Sequence, residues 1–311
     1  MVGVKSVLIL AVFIVLGFVL SKAKIINNSH SQLLSGILVY IFLPCKIFST
    51  MIANFTVEYI KEKYVILLYG IGLLLFFLII AKLTSGLFSK DKYEKSVYIY
   101  SIVTPNLGYL GYPIVESIFG EIGLLNFIVF STPTNIFATT AGYCILTKTK
   151  FSFLSLIKKP PIIFTFLGAI IGMSGIKIAA DGVIMSVVKD ASNCLAPISM
   201  LLVGMVISEY KLLEFLKEKR IYVMTALRLI IIPFILGGAL VLIRAPKDVI
   251  LSAVSMYSMS FGFNPIVFGK LVGEDCKLGA GLACISTIVG CITIPFVISF
   301  FQMICEICKL I

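Results

Sequence analysis

Residues 104–113 read Thr-Pro-Asn-Leu-Gly-Tyr-Leu-Gly-Tyr-Pro. They lie within an apolar stretch, 96–119, long enough to span a bilayer core, which takes roughly 20 apolar residues per helix. Two prolines and two glycines within this run do not form a clean helix. Each proline removes a backbone donor and clashes with the preceding turn. In lipid the freed carbonyls must be satisfied by protein or by water in a cavity, so the break faces the interior. A second interruption, Ser260-Phe261-Gly262-Phe263-Asn264-Pro265, falls in the stretch 249–272. Paired interruptions in corresponding spans are the best sequence pointer to a transporter's binding site.

The rest of the chain fits this reading. Of 311 residues, 59% are hydrophobic and 13% charged, and mean hydropathy is +1.10. A soluble domain is about half apolar and a quarter charged, so the chain reads as an integral membrane protein. Ten apolar segments are long enough to cross: 6–21, 33–54, 64–88, 96–119, 122–146, 160–178, 183–207, 221–243, 249–272 and 278–303. They are apolar on all sides, which favours helices over the alternating strands of a membrane barrel. The first resembles a signal peptide, but it ends in Ser21-Lys22-Ala23-Lys24 and lacks a small-residue cleavage site, so a retained span is expected. Lys and Arg concentrate in alternate loops, those after spans 1, 3, 5, 7 and 9. By the positive-inside rule these loops are cytoplasmic and both termini extracytoplasmic. A net charge of +11 therefore reports topology, and no nucleic-acid partner is expected.

An internal repeat relates the two halves. Residues 95–115 align with 247–267, so that Lys95 meets Lys247 and Pro113-Ile114-Val115 meets Pro265-Ile266-Val267. Pro44 meets Pro197, and Ser131-Thr132 meets Ser286-Thr287, at nearly the same separation. Five spans per half is an odd number, so the halves have opposite orientations, as in many secondary transporters. The expected architecture is all-α: ten transmembrane helices in two inverted five-helix repeats, 1–150 and 151–311, forming one membrane domain.

The physics of the breaks suggests a ligand. Half-helices that begin near the midplane point positive dipole ends into a cavity. Their free N–H groups, with the amides of Asn106 and Asn264, can hold a carboxylate without a formal charge. The candidate binding set is Asn106, Gly108, Gly111, Pro113, Ser260, Asn264 and Pro265, with Lys46 and Asn135. An ionisable group within a span is a functional candidate by default, so Lys46, Glu116 and Asp190 are candidates for proton or ion coupling. Lys46 offers either a fixed charge to an anion, a stand-in for a sodium ion, or one half of an internal ion pair. Arg228, two turns into span 8, reads as a structural anchor or a headgroup contact. No carboxylate pair surrounds either break, so a sodium site is not evident. Ser131, Thr132, Thr134 and Asn135 supply neutral oxygens or ordinary interhelical hydrogen bonds.

Residues 105–127, PNLGYLGYPIVESIFGEIGLLNF, resemble the signature of the auxin efflux carrier family of membrane transporters. Pro160-Pro161, residues 195–208, the run from Arg228 to Pro233 and Gly273-Glu274-Asp275 agree with it. The resemblance implies broken helices 4 and 9 crossing at the substrate site, as in bile-acid symporters and sodium/proton antiporters. It also implies transport of small organic anions such as auxin or malate across the plasma membrane. Asn106 matches the family's span-4 asparagine. Span 9 departs, since the family usually has a proline near Met259 or Ser260, whereas here Pro265 follows Asn264. The resemblance fits a homodimer packed through spans 2 and 7, and leaves a monomer open.

Other classes have less support. Drive by ATP would require a G-x-x-x-x-G-K-[ST] loop, which the chain lacks. His30, the single histidine, is in a loop, and Asp190 is the sole Asp in a span, so neither a triad nor an aspartyl dyad is available. No enzymatic activity, cofactor or metal is expected. Cys144, Cys194, Cys284 and Cys291 read as small packing residues, and Cys305–Cys308 is a lone CxxC without further ligands. The alternative reading is a membrane sensor that binds the same ligand class without transporting it.

Overall fold

The computed structural model describes residues 2–26, 28–150, 159–176, 182–215 and 217–310. The junction between the two sequence halves at 150/151 and the end of span 6 at 177–178 lie outside the described residues. In chain order the helices are α1 (Val2–Lys22), α2 (Asn28–Ile37), α3 (Leu43–Asn54), α4 (Val57–Phe88), α5 (Lys92–Val103), α6 (Tyr112–Thr139), α7 (Ala141–Thr147) and α8 (Pro160–Ser174). They continue as α9 (Val183–Ser208), α10 (Leu212–Phe215), α11 (Lys219–Ala226), α12 (Ile232–Leu242), α13 (Lys247–Ser258), α14 (Asn264–Leu271) and α15 (Lys277–Ile307). Among the described residues, six helical segments are long and apolar enough to cross a membrane: His30–Asn54, Val57–Phe88, Leu107–Thr147, Val183–Ser208, Lys219–Leu242 and Lys277–Ile307. Val7–Lys22 and Pro160–Ser174 are shorter apolar helices. Their outward faces are greasy: Leu83, Leu87, Val183 and Leu242 are all strongly exposed. So much apolar surface calls for lipid.

Three π turns have a common cause. Leu38–Phe42, Leu107–Gly111 and Leu227–Ile231 each end two residues before a proline, Pro44, Pro113 and Pro233. A proline ring collides with the carbonyl four residues back. Widening the preceding turn moves that carbonyl aside while keeping the chain helical. Accordingly, the N–H of Leu43 bonds to the Leu38 carbonyl and that of Ile232 to the Leu227 carbonyl, five residues back in each case. Between sequence spans 4 and 5, Gly120 turns the chain with φ 69° and ψ −166°. That φ is in the left-handed region, which glycine enters without steric strain.

The chain forms two compact units. The first comprises the described parts of Met1–Val65, Gly108–Ile128 and Leu154–Tyr210. Here α1 packs on α9, and α3 on α8 and α9. Glycine sets both main contacts. A Cβ on Gly17 would fall 2.0 Å from the Leu201 carbonyl oxygen, and one on Gly204 would fall 1.9 Å from that of Ile14. On α8, Gly168 and Gly172 approach Met51 and the Phe55 carbonyl of α3 in the same way. These are small-residue seams of the kind that join membrane helices. Gly204→Val should therefore separate α1 from α9 and lower stability by about 3 kcal/mol, read as a fall in thermal midpoint in detergent. An unchanged midpoint would show that the seam can be repacked.

The second unit comprises the described parts of Ile66–Leu107, Val129–Phe153 and Lys211–Ile311. Its centre is α13, wrapped by α12 and α15 and buried from Val249 to Ser258. Phe77 of α4 stacks on Tyr257 at 4.1 Å. At the very start of the segment Lys219–Leu242, Arg220 pairs with Glu94 (2.7 Å) and Glu218 (3.0 Å), both of which lie outside that segment. The Arg220 guanidinium holds the Glu218 carboxyl below the usual carboxylate range.

Candidate functional site

In the second unit the chain leaves the helix within sequence spans 4 and 9, and these two irregular stretches meet. α5 stops at Val103 because Pro105 disfavours helical geometry at the residue before it. Thr104 is extended (φ −109°, ψ 102°). Its hydroxyl donates back to the Tyr100 carbonyl at 2.7 Å, which satisfies one orphaned acceptor of the helix end. α13 stops at Ser258, and helix resumes at Asn264 with Pro265 in the first turn. Pro105 and Phe261 then form an isolated antiparallel bridge, and the Asn106 N–H donates to the Ser260 carbonyl at 2.9 Å. α15 supports the other side. The Phe261 N–H donates to Ser286 Oγ at 3.0 Å, and Thr287 Oγ1 donates to Ser260 Oγ at 3.2 Å. These contacts answer the demand that irregular backbone at membrane depth be paired within protein. The sequence pattern marked Ser286-Thr287 only as repeat partners of Ser131-Thr132; their bonding to the span-9 break was not anticipated.

Arg228 lies next to this crossing and is fully buried. Its Nε donates to the Met259 carbonyl (3.1 Å), one terminal nitrogen to Ile102 (2.6 Å) and the other to Met256 (3.2 Å). The guanidinium carbon is 5.3 Å from the Tyr257 ring centre and 6.0 Å from that of Phe261. A headgroup contact is thus replaced by a buried brace between α5 and α13. Depth along a span does not reveal what a side chain faces, so these partners left no mark in the residue pattern.

The two asparagines differ in their engagement. Asn106 is buried (3% exposed). Its side-chain Nδ2 has no hydrogen-bond partner among the described residues. Asn264 is half-buried, and its Nδ2 donates to the Tyr100 hydroxyl at 2.7 Å. Ser260 is fully buried and bonded as above, while the Pro265 carbonyl accepts from the Tyr93 hydroxyl at 3.4 Å. Gly262 faces the first break. A Cβ there would lie 3.5 Å from the Pro105 oxygen and 3.8 Å from the Asn106 Cα, in ordinary contact. Gly262→Ala should therefore fold normally, whereas Gly262→Leu should fill the space beside Asn106 and abolish ligand-induced thermal shifts. Wild-type shifts in Gly262→Leu would remove Asn106 from the site.

The remaining candidates occupy other places. Gly108, Gly111 and Pro113 form the π turn and helix start of the first unit, where a Cβ on Gly108 would meet the Leu43 side chain at 3.3 Å. In the same unit Lys46, buried on α3, pairs with Glu116 of α6. These two coupling candidates, 70 residues apart in the chain, are thus one ion pair. Asp190 is exposed in the second turn of α9. Asn135 is half-buried on α6, where its carbonyl accepts from the Thr139 hydroxyl at 2.9 Å.

Comparison with known proteins agrees with a multi-pass membrane carrier. The model of the membrane transport protein family matches residues 2–152 and 145–298. An uncharacterized transporter of Methanocaldococcus jannaschii is 29% identical over 302 residues, covering 92% of this chain and 95% of its own. A second uncharacterized transporter, from Methanothermobacter thermautotrophicus, is 23% identical over 249 residues, covering 75% of this chain and 77% of its own. With nearly the whole chain matched, the protein belongs to the membrane transport protein family, the auxin efflux carrier family whose signature residues 105–127 resemble.

Proposed function

We propose that this protein is a secondary active transporter that moves a small organic anion, an auxin-like or malate-like carboxylate, across the plasma membrane by alternating access. The observation that carries this reading is the unpartnered Nδ2 of Asn106. A buried donor left unpaired disfavours the empty state by about 1–3 kcal/mol. An acceptor on a substrate relieves that penalty at the moment of binding. Helix resumes at Leu107 and at Asn264, and the positive dipole end of a helix start favours an anion. Ser260, Asn264 and Pro265 complete the set on the span-9 side, and Gly108, Gly111 and Pro113 follow Asn106 on the span-4 side. Asn135 contributes a neutral amide.

The chain reads as a ten-span inverted repeat whose Lys and Arg distribution puts both termini outside the cytoplasm, and the make-up of the units is consistent with the repeat for three of the five pairs of spans. Sequence spans 1, 2, 6 and 7 contribute to one unit, while 3, 8 and 10 contribute to the other. Spans 1, 2 and 3 thus fall with their counterparts 6, 7 and 8, whereas spans 4 and 5 are divided between the units and spans 9 and 10 are not. Alternating access would expose the site to each side of the membrane in turn. Lys46 with Glu116 is the leading candidate for proton coupling, and Asp190 a further one.

The deciding experiment is counterflow in liposomes containing the purified chain, with labelled small carboxylates, indole acetate and neutral analogues, with and without Na⁺. Saturable counterflow of a carboxylate, absent for its neutral analogue, is the expected result. Binding without counterflow would instead identify a sensor. Counterflow restricted to neutral or cationic compounds would overturn the anion reading.

A further inference from the structure

The Arg228 guanidinium has an unusual set of partners. It is fully buried, yet it pairs with no acidic side chain among the described residues. Its acceptors are three backbone carbonyls, of Ile102, Met256 and Met259. Ile102 is in the last turn of α5, Met256 is in that of α13, and Met259 is the residue that follows α13. The charge is therefore balanced by the C-terminal ends of two interrupted helices. Each such end carries roughly half a negative elementary charge. Two together amount to about one, which a single guanidinium neutralises. A buried charge without this compensation would be strongly disfavoured.

Carbonyl oxygens at the C-terminal ends of broken helices are also what discontinuous-helix transporters use to coordinate an alkali cation. Here a cluster of such oxygens converges on a cation that is covalently part of the protein. Arginine does not lose its proton in proteins, so this occupant leaves neither as a sodium ion nor as a proton.

We propose that Arg228 is the resident cation of the crossing. It occupies a carbonyl-lined position that takes a monovalent alkali cation when the guanidinium is absent, and it makes the intact protein independent of sodium. In this role Arg228 is a positioning residue: it holds the ends of α5 and α13 so that Asn106 and Ser260 keep their backbone bond. The inference stands on the geometry of the crossing alone and does not depend on the anion reading.

The test follows thermal unfolding of the purified full chain in detergent, in NaCl, KCl or choline chloride at equal ionic strength. Wild type should unfold at the same midpoint in all three salts. Arg228→Ala should unfold earlier in choline and recover saturably as Na⁺ or K⁺ is added, following single-site linkage. Arg228→Lys, which keeps a cation among the same oxygens, should be insensitive to the choice of salt. Arg228→Met, which fills the space without charge, should be weakened in every salt without recovery. A role as a simple strut would not produce alkali-specific recovery confined to the alanine variant. A sodium-specific shift in wild type would overturn the proposal. So would an alanine variant with one midpoint in all salts, or one that is never recovered folded in any of them while Arg228→Lys is.

Discussion

Asn106→Ala should bind carboxylates about 10- to 150-fold more weakly, while its unliganded thermal midpoint stays level or rises. The first half follows from the loss of a hydrogen bond to a charged acceptor, worth about 1.5–3 kcal/mol, at about 1.4 kcal/mol per tenfold in affinity. The second follows from the absence of a partner for the Asn106 amide nitrogen. Truncation takes away a buried donor that gains nothing in the empty protein. Lost packing offsets part of that gain. Affinity and stability moving in opposite directions is the mark of a residue kept for its ligand. Asn106→Asp makes the contrast, since a buried carboxylate should lower both stability and anion binding. Ligand-induced shifts in the purified variants measure both quantities at once. Wild-type affinity in Asn106→Ala would place the site elsewhere.

Glu116→Ala should be strongly destabilising although it leaves the crossing untouched. It leaves the Lys46 ammonium, whose side chain is 6% exposed, without its partner. Breaking a fully buried pair costs about 3–5 kcal/mol. Glu116 is 28% exposed, so water screens part of the loss, and about 2–3 kcal/mol is expected. Replacing both residues with apolar ones, Lys46→Met with Glu116→Leu, should recover most of that stability, because no charge is then left stranded. The double variant also separates structure from coupling. If it folds yet no longer responds to an imposed proton gradient in liposomes, the pair carries coupling. If uptake still follows the gradient, the pair only supports the fold.

Much of the chain's organisation was readable from local chemistry. Proline and glycine act on their own backbone, so residue types pointed to interruptions at 104–113 and 260–265; the first proves shorter, with a π turn from Leu107, and the second begins at Met259. Hydropathy placed α9 and the segment Lys219–Leu242 to within two residues, whereas α4 begins seven residues before the apolar stretch 64–88. What escaped the sequence were partners distant along the chain. Lys46 and Glu116 were singled out separately, but their pairing depends on how α3 meets α6. Asn264 paired with Asn106 as a ligand candidate despite the departure of span 9 from the family pattern, and nothing local pointed to its bond with Tyr100, 164 residues away. Arg228 lost its headgroup reading because its acceptors are main-chain carbonyls, which carry no residue identity for a pattern to detect. Composition also did not mark which residues form each compact unit, since both units draw on both halves of the chain.

The three π turns also bear on how this chain aligns with its relatives. An extra residue in an α-helix rotates everything beyond it by about 100° and advances it by about 1.5 Å. A π turn is one such residue already absorbed, and here each sits just ahead of a proline. In relatives where a residue other than proline occupies position 44, 113 or 233, the wide turn has lost its cause. Such sequences should be one residue shorter within 38–42, 107–111 or 227–231, so that the downstream faces stay in phase. Single-residue gaps in an alignment should therefore appear and disappear together with those prolines.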